Sequence, residues 1–215
     1  MGEGVTPDTE WVTAMATIEP KTGTAAEEPT TRRTVLPGAP PFTVDDLLKF
    51  PDDGNRYELF NGSLLVSPAP SLRHQDVIYL LHTILQRAAP SQMRVFTTVN
   101  LRASDKDLFI PDLVVVPIER AKSVRLMLAP DDVLLAVEVV SPSTRTRDRA
   151  TKVAAYAEAG IPLYWRVELD EGPTVYVYEL DGESYRGPVP HKPGTTAVIS
   201  KPYPVSFDPA DLIGY

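Results

Sequence analysis

Two segments of this chain have the composition of buried β-strands, yet each carries one carboxylate. Asp112 lies in segment 109–117, Phe-Ile-Pro-Asp-Leu-Val-Val-Val-Pro, and Glu138 lies in segment 133–141, Val-Leu-Leu-Ala-Val-Glu-Val-Val-Ser. An ionised carboxylate that is taken out of water is strongly destabilising unless a cation, a metal ion or several hydrogen bonds compensate it. The fold must therefore supply a partner to each acid, and two such acids in neighbouring strands favour a shared metal ion.

The composition predicts one folded domain preceded by a long extension. The chain has 215 residues, of which 43% are hydrophobic, and this supplies a single sizeable core. Residues 1–40 are rich in Thr, Pro, Ala, Gly and Glu and show little apolar periodicity, so they are predicted to be disordered. The folded domain is expected to span residues 41–215.

Charge and residue usage exclude several classes of site and partner. The formal net charge of -8 disfavours broad attraction to nucleic acid or to anionic membranes, although it allows a local basic cleft. The absence of cysteine excludes disulfides, thiolate nucleophiles and cysteine-rich zinc sites. The first residues have neither a basic start nor a signal-length apolar stretch, and no later run approaches the roughly 20 apolar residues of a membrane span. A soluble cytoplasmic protein with no membrane partner is expected.

Hydrophobic periodicity and turn residues predict an α/β fold with a mixed sheet and few helices. Thr43 is a candidate N-cap for a short first helix, and Asn61-Gly62 suits the two-residue turn of an N-terminal hairpin over 56–66. The remaining predicted elements are helices over 71–89 and 145–159 and strands over 93–102, 109–116, 133–140, 163–168 and 174–178. Pro111 cannot donate to a sheet ladder, which predicts a strand start or a bulge beside Asp112.

Four residues are candidate catalytic residues: Glu58, Asp112, Glu138 and Lys152. Carboxylates hold Mg²⁺, a hard cation that keeps several waters, and a nearby lysine can orient or deprotonate an attacking water. Val137 and Val139 leave the strand of Glu138 without a polar face, which favours a buried functional acid. For Lys152 the alternative is an exposed ion pair with Asp148, worth only about 0.3–0.5 kcal/mol on a solvated helix face.

An ordered set of short motifs runs through the folded part of the chain. In order, these motifs are Tyr57-Glu58-Leu59, Ser67-Pro68, His74, Pro111-Asp112-Leu113-Val114-Val115, Glu138-Val139-Val140-Ser141-Pro142-Ser143, Asp148, Lys152, Tyr156, Gly160 and Tyr164-Trp165. Together they resemble the Uma-type family of restriction-endonuclease-like proteins, which belongs to the PD-(D/E)xK nuclease superfamily. The resemblance covers roughly residues 41–212 and depends on the ordered set, because Pro-Asp or Glu-x-Val alone would mean little.

The resemblance implies a restriction-endonuclease-like fold, with a mixed central sheet flanked by helices, and a Mg²⁺-dependent nuclease centre in which Mn²⁺ can substitute. It makes Asp112 and Glu138 the two motif acids and metal ligands. Glu58 corresponds to the upstream acid, as a third ligand or a neighbour of the ligands. Val140 stands where the superfamily has its motif lysine, so Lys152 is expected to serve from the next helix instead.

His74, Arg145 and Arg149 are candidate substrate contacts. Arg145, Arg149, Lys152 and Tyr156 recur at spacings of three or four, which predicts one polar helix stripe that can contact phosphates. His74 matches the family's pattern, and a histidine side chain can relay a proton or contact a phosphate, although a histidine at a helix start is more often a capping or surface residue.

The leading prediction is a Mg²⁺-dependent endonuclease that hydrolyses phosphodiester bonds in DNA with a metal-activated water. Two alternatives stay open. The missing lysine at position 140 and the acidic charge favour a noncatalytic binding or assembly module that keeps the nuclease fold. The acidity also suits a metal-dependent hydrolase of a small phosphoester. The apolar strands and Trp165 predict a homodimer.

Overall fold

The computed structural model describes residues 38–67, 69–124, 126–141 and 148–214. The predicted disordered extension over residues 1–40 lies outside these ranges except for its last three residues. That extension and the domain boundary beside it therefore stay predictions.

Four α-helices and fourteen β-strands form within the described ranges. The helices are α1 (Val44–Leu47), α2 (Leu72–Ala88), α3 (Ile118–Ser123) and α4 (Val153–Glu158). The strands are β1 (Arg56–Phe60), β2 (Ser63–Ser67), β3 (Met93–Thr97), β4 (Asn100–Arg102), β5 (Leu108–Phe109), β6 (Leu113–Pro117), β7 (Met127–Leu128), β8 (Leu135–Val139), β9 (Leu163–Glu168), β10 (Thr174–Asp181), β11 (Ser184–Tyr185), β12 (Val189–His191), β13 (Ala197–Ile199) and β14 (Val205–Phe207). Two 3₁₀ turns, Pro130–Asp132 and Pro209–Leu212, and a π-helical turn, Asp148–Lys152, complete the set.

The largest sheet of the described chain has seven strands and confirms the mixed α/β class. Its order is β11-β10-β9-β8-β6-β3, with β12 also paired to β10. β8 and β9 are parallel, whereas the pairs β3–β6, β6–β8 and β9–β10 are antiparallel. Parallel neighbours need a crossover, and the chain between β8 and β9 includes the π-helical turn and α4. Every residue of β8 and β9 is buried, as expected for strands covered on both faces.

One face of this central sheet packs against α2. Val77, Leu81 and Leu85 recur at spacings of four along α2 and are fully buried. They join Val137 and Trp165 of the sheet in one hydrophobic cluster. The amphipathic pattern of residues 71–89 therefore forms the helix that the sequence predicts, and Ser71 caps its start.

The opposite face of the central sheet packs against α4 and β5. Ala136 of β8 and Tyr164 of β9 lie in a second cluster with Phe109 and Tyr156. Because side chains alternate along a strand, Glu138 shares this face with Ala136. The acid therefore projects toward α4 and not toward α2.

A second sheet of five strands, in the order β2-β1-β5-β4-β7, contains the predicted hairpin. Asn61 and Gly62 form its turn with φ angles of 48° and 74°, the positive values for which the Asn-Gly pair is suited. Thr43 caps α1 through a capping box with Asp46, as the sequence predicts.

Two predicted strands are each divided between the two sheets. The segment 93–102 breaks at Thr98, which has a φ of 54°, so β3 lies in the central sheet and β4 in the second sheet. The segment 109–116 breaks around Pro111, so β5 and β6 also lie in different sheets. Asp112 consequently stands where the chain passes from one sheet to the other.

The helix predicted over 145–159 is present only in part within the described residues. Residues 142–147 lie outside them, and the described helical segment runs from Asp148 to Glu158 before Gly160 ends it with a φ of 78°. The prediction of a single polar stripe on this helix is wrong, because Lys152 and Tyr156 are buried whereas Arg149 is exposed.

Trp165 cannot support the predicted homodimer. Its side chain is fully buried within one chain, and its ring centroid lies 6.4 Å from that of Phe207. A homodimer stays a prediction, but Trp165 supplies none of its interface. Among the described helices, none is long and apolar enough to cross a membrane.

Candidate active site

Four predicted catalytic residues converge between the two sheets. Glu58 lies on β1, Asp112 between β5 and β6, Glu138 on β8, and Lys152 at the end of the π-helical turn. Their exposures are 2%, 6%, 4% and 6%, respectively, so all four are buried polar side chains. The four residues come from segments that are distant in sequence, so the tertiary fold brings them together. Glu58, Asp112 and Glu138 are called the acidic centre below.

Lys152 joins two of the acids. Its Nζ lies 2.9 Å from Oε1 of Glu138 and 3.7 Å from Oε1 of Glu58. Lys152 is therefore buried and directed into the protein, and it does not lie on a solvated helix face. A lysine from the helical segment after β8 thus contacts two of the acids, while Val140 is buried.

Backbone amides hold the acids in place. The amide of Ile110 donates to Oε1 of Glu58 at 3.0 Å, two residues before Asp112. The amide of Val139 donates to Oδ2 of Asp112 at 2.8 Å, one residue after Glu138. Glu58 is thereby bonded to the segment that carries Asp112, and Asp112 is bonded to the strand that carries Glu138.

His74 contacts the acidic centre from the first turn of α2. Its Nε2 lies 3.2 Å from Oδ1 of Asp112, and its Nδ1 is buried without a hydrogen-bond partner among the described residues. Asp112 is also held through its backbone, because the amide of Thr98 donates to its carbonyl oxygen at 3.1 Å. His74 therefore contacts an acid of the centre, and its predicted contact with a substrate stays a prediction.

The electrostatics of the centre favour an added cation. Burial raises the pKa of Glu138 to about 8, Lys152 opposes that rise, and Asp112 and Glu58 add to it by repulsion. Tyr156 donates its hydroxyl to Oε1 of Glu138 at 2.7 Å, and burial raises the pKa of this tyrosine well above its usual value. Three carboxyl groups close together in a dry site are therefore only partly compensated by one lysine.

A buried cation beside the centre was missed by the sequence analysis. Arg166 of β9 is the register partner of Glu138 in the parallel pair and is 7% exposed. Its guanidinium carbon lies 4.7 Å from the ring centroid of Tyr176. Its Nε lies 2.9 Å from Oε1 of Glu168, although the N–H is not directed at that oxygen. The signal was available, because Arg166 interrupts an apolar strand just as Glu138 does.

The two predicted arginine contacts have different outcomes. Nε of Arg149 donates to Oε1 of Glu168 at 2.9 Å. The buried Arg166 contacts the same carboxylate oxygen. The side chain of Arg149 is 46% exposed, so it can still meet a ligand. Arg145 lies outside the described residues, and its predicted contact stays a prediction.

The donor chemistry suits a hard divalent cation, whereas the present arrangement is not a ready-made cage. Carboxylate oxygens are the ligands that Mg²⁺ prefers, and two of the three acids converge on one point. That point holds the ammonium group of Lys152. Among the described residues, no group of three or more acidic or histidine side chains is arranged to hold a metal ion as it stands.

Comparison with known proteins places this geometry in a family. The sequence profile of the Uma2 family, described as "Putative restriction endonuclease", matches residues 44–210. A crystal structure of a putative nuclease belonging to DUF820 from Anabaena variabilis ATCC 29413 is similar in fold, with a TM-score of 0.65 and 19% sequence identity. The similarity covers 80% of this chain and 97% of that chain. No curated protein matches the sequence. Because the family profile covers most of the chain, the protein belongs to the Uma2 family.

Proposed function

We propose that this protein is a Mg²⁺-dependent endonuclease that hydrolyses phosphodiester bonds in DNA. The observation that carries the proposal is the contact of Lys152 with both Glu138 and Glu58 inside one buried centre. Membership of a family described as restriction endonucleases and the fold shared with a nuclease structure support the same reaction class.

Asp112 and Glu138 would hold the metal ion, with Glu58 as a third ligand or as an acceptor that fixes the ligands. A bound Mg²⁺ supplies Lewis-acid stabilisation of a phosphoryl oxygen and lowers the pKa of a coordinated water. Lys152 must then share its carboxylate partners with the ion. Its ammonium group remains close enough to orient a water or to offset negative charge on the phosphate.

The residues around the centre complete this assignment. The hydroxyl of Tyr156 fixes Oε1 of Glu138, and the amide of Val139 fixes Oδ2 of Asp112, so both acids keep their orientation without a substrate. Arg149 and Arg166 both contact one carboxylate, Glu168. The side chain of Arg149 is 46% exposed, so its guanidinium group suits a contact with an incoming phosphate diester.

Cleavage assays with matched variants test the proposal. Plasmid, linear duplex and single-stranded DNA are incubated with Mg²⁺ or Mn²⁺ and wild type, Asp112→Asn, Glu138→Gln or Lys152→Met. The expected result is cleavage by wild type and a loss of at least 100-fold in each variant, as is usual when a charged catalytic group is removed. Asp211→Asn, an exposed acid on the last 3₁₀ turn, is the control and should cleave like wild type.

One observation favours a second candidate, a noncatalytic nucleic-acid-binding or assembly module. Lys152 occupies the point on which two of the acids converge, and the described residues contain no ready-made metal cage. Ion pairs of Lys152 with Glu138 and Glu58, in place of a bound metal ion, would preserve the fold without catalytic activity. Wild type that neither binds Mg²⁺ nor cleaves any DNA or the small diester bis(p-nitrophenyl) phosphate would establish this candidate over the nuclease.

A further inference from the structure

A groove of about 350 Å³ is lined by segments that also carry or contact residues of the acidic centre, and it has no assigned role. Six of its lining residues matter for its chemistry: Arg56, Gln75, Tyr79, His82, Thr97 and Thr98. The volume is at the lower end of the range of small-ligand sites, which is about 300–1,000 Å³. A flat ring and its attached sugar fit that space better than a double helix does.

Three separate elements connect the groove to the acidic centre. Arg56 and Glu58 are two residues apart on β1 and therefore share one face of that strand. The amide of Thr98 donates to the carbonyl oxygen of Asp112. On α2, Ile78 lines the groove and lies one turn after His74, which contacts Asp112. A substrate strand with its phosphate at the centre would enter this groove with its neighbouring nucleotide.

The charge of the groove indicates an anionic ligand. Arg56 is half-buried, and within the described part of the chain it has no ion pair with a carboxylate. Other arginines of the described chain are neutralised by such a partner, as Arg102, Arg149 and Arg186 show. A guanidinium without a carboxylate partner, close to a centre proposed to act on phosphates, fits a phosphate oxygen.

The α2 side of the groove offers a surface for a base. Gln75, Tyr79 and His82 recur at spacings of four and three, so they form one helix stripe. Tyr79 is a large aromatic residue, and yet it is 67% exposed. An exposed aromatic ring beside a cation is the usual arrangement for stacking an unpaired base, and such stacking tolerates every base.

We propose that this groove binds one unpaired nucleotide of the substrate strand, next to the phosphate at the acidic centre. The base stacks on Tyr79, the amide of Gln75 meets its edge, and Arg56 holds the phosphate. The proposal rests on the proposed function for the identity of the strand. It predicts a preference for single-stranded or locally opened nucleic acid, which the nuclease assignment alone does not.

The test is fluorescence anisotropy with fluorescein-labelled oligodeoxythymidine, oligouridine and a DNA duplex of equal length, in EDTA so that no strand is cut. Wild type is expected to bind the single strands more tightly than the duplex, and Tyr79→Ala should weaken that binding by about tenfold. Tyr79→Phe should bind like wild type because it keeps the ring. Arg56→Gln should weaken binding and reduce its salt dependence by about one phosphate contact.

Two control variants separate the groove from general surface effects. Leu126→Ala removes an exposed apolar side chain elsewhere, and Arg94→Gln removes an exposed arginine at the far end of β3. Equal losses in Tyr79→Ala and Leu126→Ala, equal losses in Arg56→Gln and Arg94→Gln, or no binding of single strands by wild type would each overturn the proposal.

Cleavage in Mg²⁺ is scored separately. Binding that depends on Tyr79 without cleavage supports the groove and opposes the nuclease, whereas cleavage and binding that ignore Tyr79 oppose only the groove.

Discussion

The Nζ atom of Lys152 lies 2.9 Å from Oε1 of Glu138, although the two residues belong to different elements and both are buried. The same carboxyl oxygen accepts a hydrogen bond from Tyr156, one helical turn after Lys152. One carboxylate therefore orients two residues of the segment that follows its own strand. This relationship explains how a strand without a lysine at position 140 still has a cation at its acid.

Lys152→Met is expected to lower the free energy of unfolding by about 3–5 kcal/mol, because it leaves buried carboxyl groups without their cation. The double variant Lys152→Met with Glu138→Gln should lose less than the sum of the two single losses, since it removes both partners of the contact together. Urea denaturation of the wild type, both single variants and the double variant measures this coupling. Strictly additive losses would show that the contact carries no energy.

The metal-free protein should become less stable as the pH rises from about 4.5 to about 8. In the unfolded chain Glu138 has its ordinary pKa of 4.5, whereas burial raises the pKa of Glu138 in the folded protein to about 8. The folded state therefore holds more protons across this window, and unfolding becomes easier as they are lost. Thermal melts of wild type and Glu138→Gln in EDTA should show a steeper fall for wild type. Parallel curves would contradict the raised pKa.

Mg²⁺ should stabilise wild type against thermal unfolding, because an ion that binds only the folded protein adds about 2.7 kcal/mol at 100 times its dissociation constant. Asp112→Asn should abolish the increase in melting temperature, since it removes a charged ligand. Asp211→Asn is the matched control and should keep the increase. An increase of equal size in Asp112→Asn would place the bound ion elsewhere.

Thr98→Gly is expected to raise the free energy of unfolding by about 1 kcal/mol. Thr98 is an exposed, β-branched residue with a φ of 54°, a conformation that glycine adopts without steric cost. The neighbouring substitution Thr97→Gly, in the extended strand β3, should lower stability by about 0.5–1 kcal/mol. Chemical denaturation of the pair gives the comparison, and a loss in both variants would rule out strain at Thr98.

Gly62→Ala should destabilise the protein more than Gly182→Ala does. Both glycines have positive φ angles, 74° and 68°, so alanine strains the backbone at both by about 1 kcal/mol. A β-carbon at Gly62 would in addition lie 2.7 Å from the β-carbon of Pro41, whereas the space around Gly182 is open. Melting temperatures of the two variants measure the difference. Equal values would mean that residue 41 moves aside without cost.

Local patterns predicted most elements of the fold because those elements depend on neighbours in sequence. The Asn61-Gly62 turn, the Thr43 cap and the end of the helix before Gly160 all follow from the preferences of single residues and their near neighbours. The division of segment 93–102 between two sheets was not predicted. Both halves have strand composition, and only pairing partners that are distant in sequence decide which sheet each half joins.

By itself the sequence singled out Asp112 and Glu138, because an acid in an apolar run requires a buried partner wherever the run folds. Glu58 and Lys152 were selected by their place in the order of motifs. Only the tertiary structure decided their pairing, the inward direction of Lys152 and Tyr156, and the position of Arg166 beside Glu138. Those relations depend on strand register and on the rotation of a helix about its axis. Both are set by packing between segments that are far apart in the chain, for which no local pattern carries a signal.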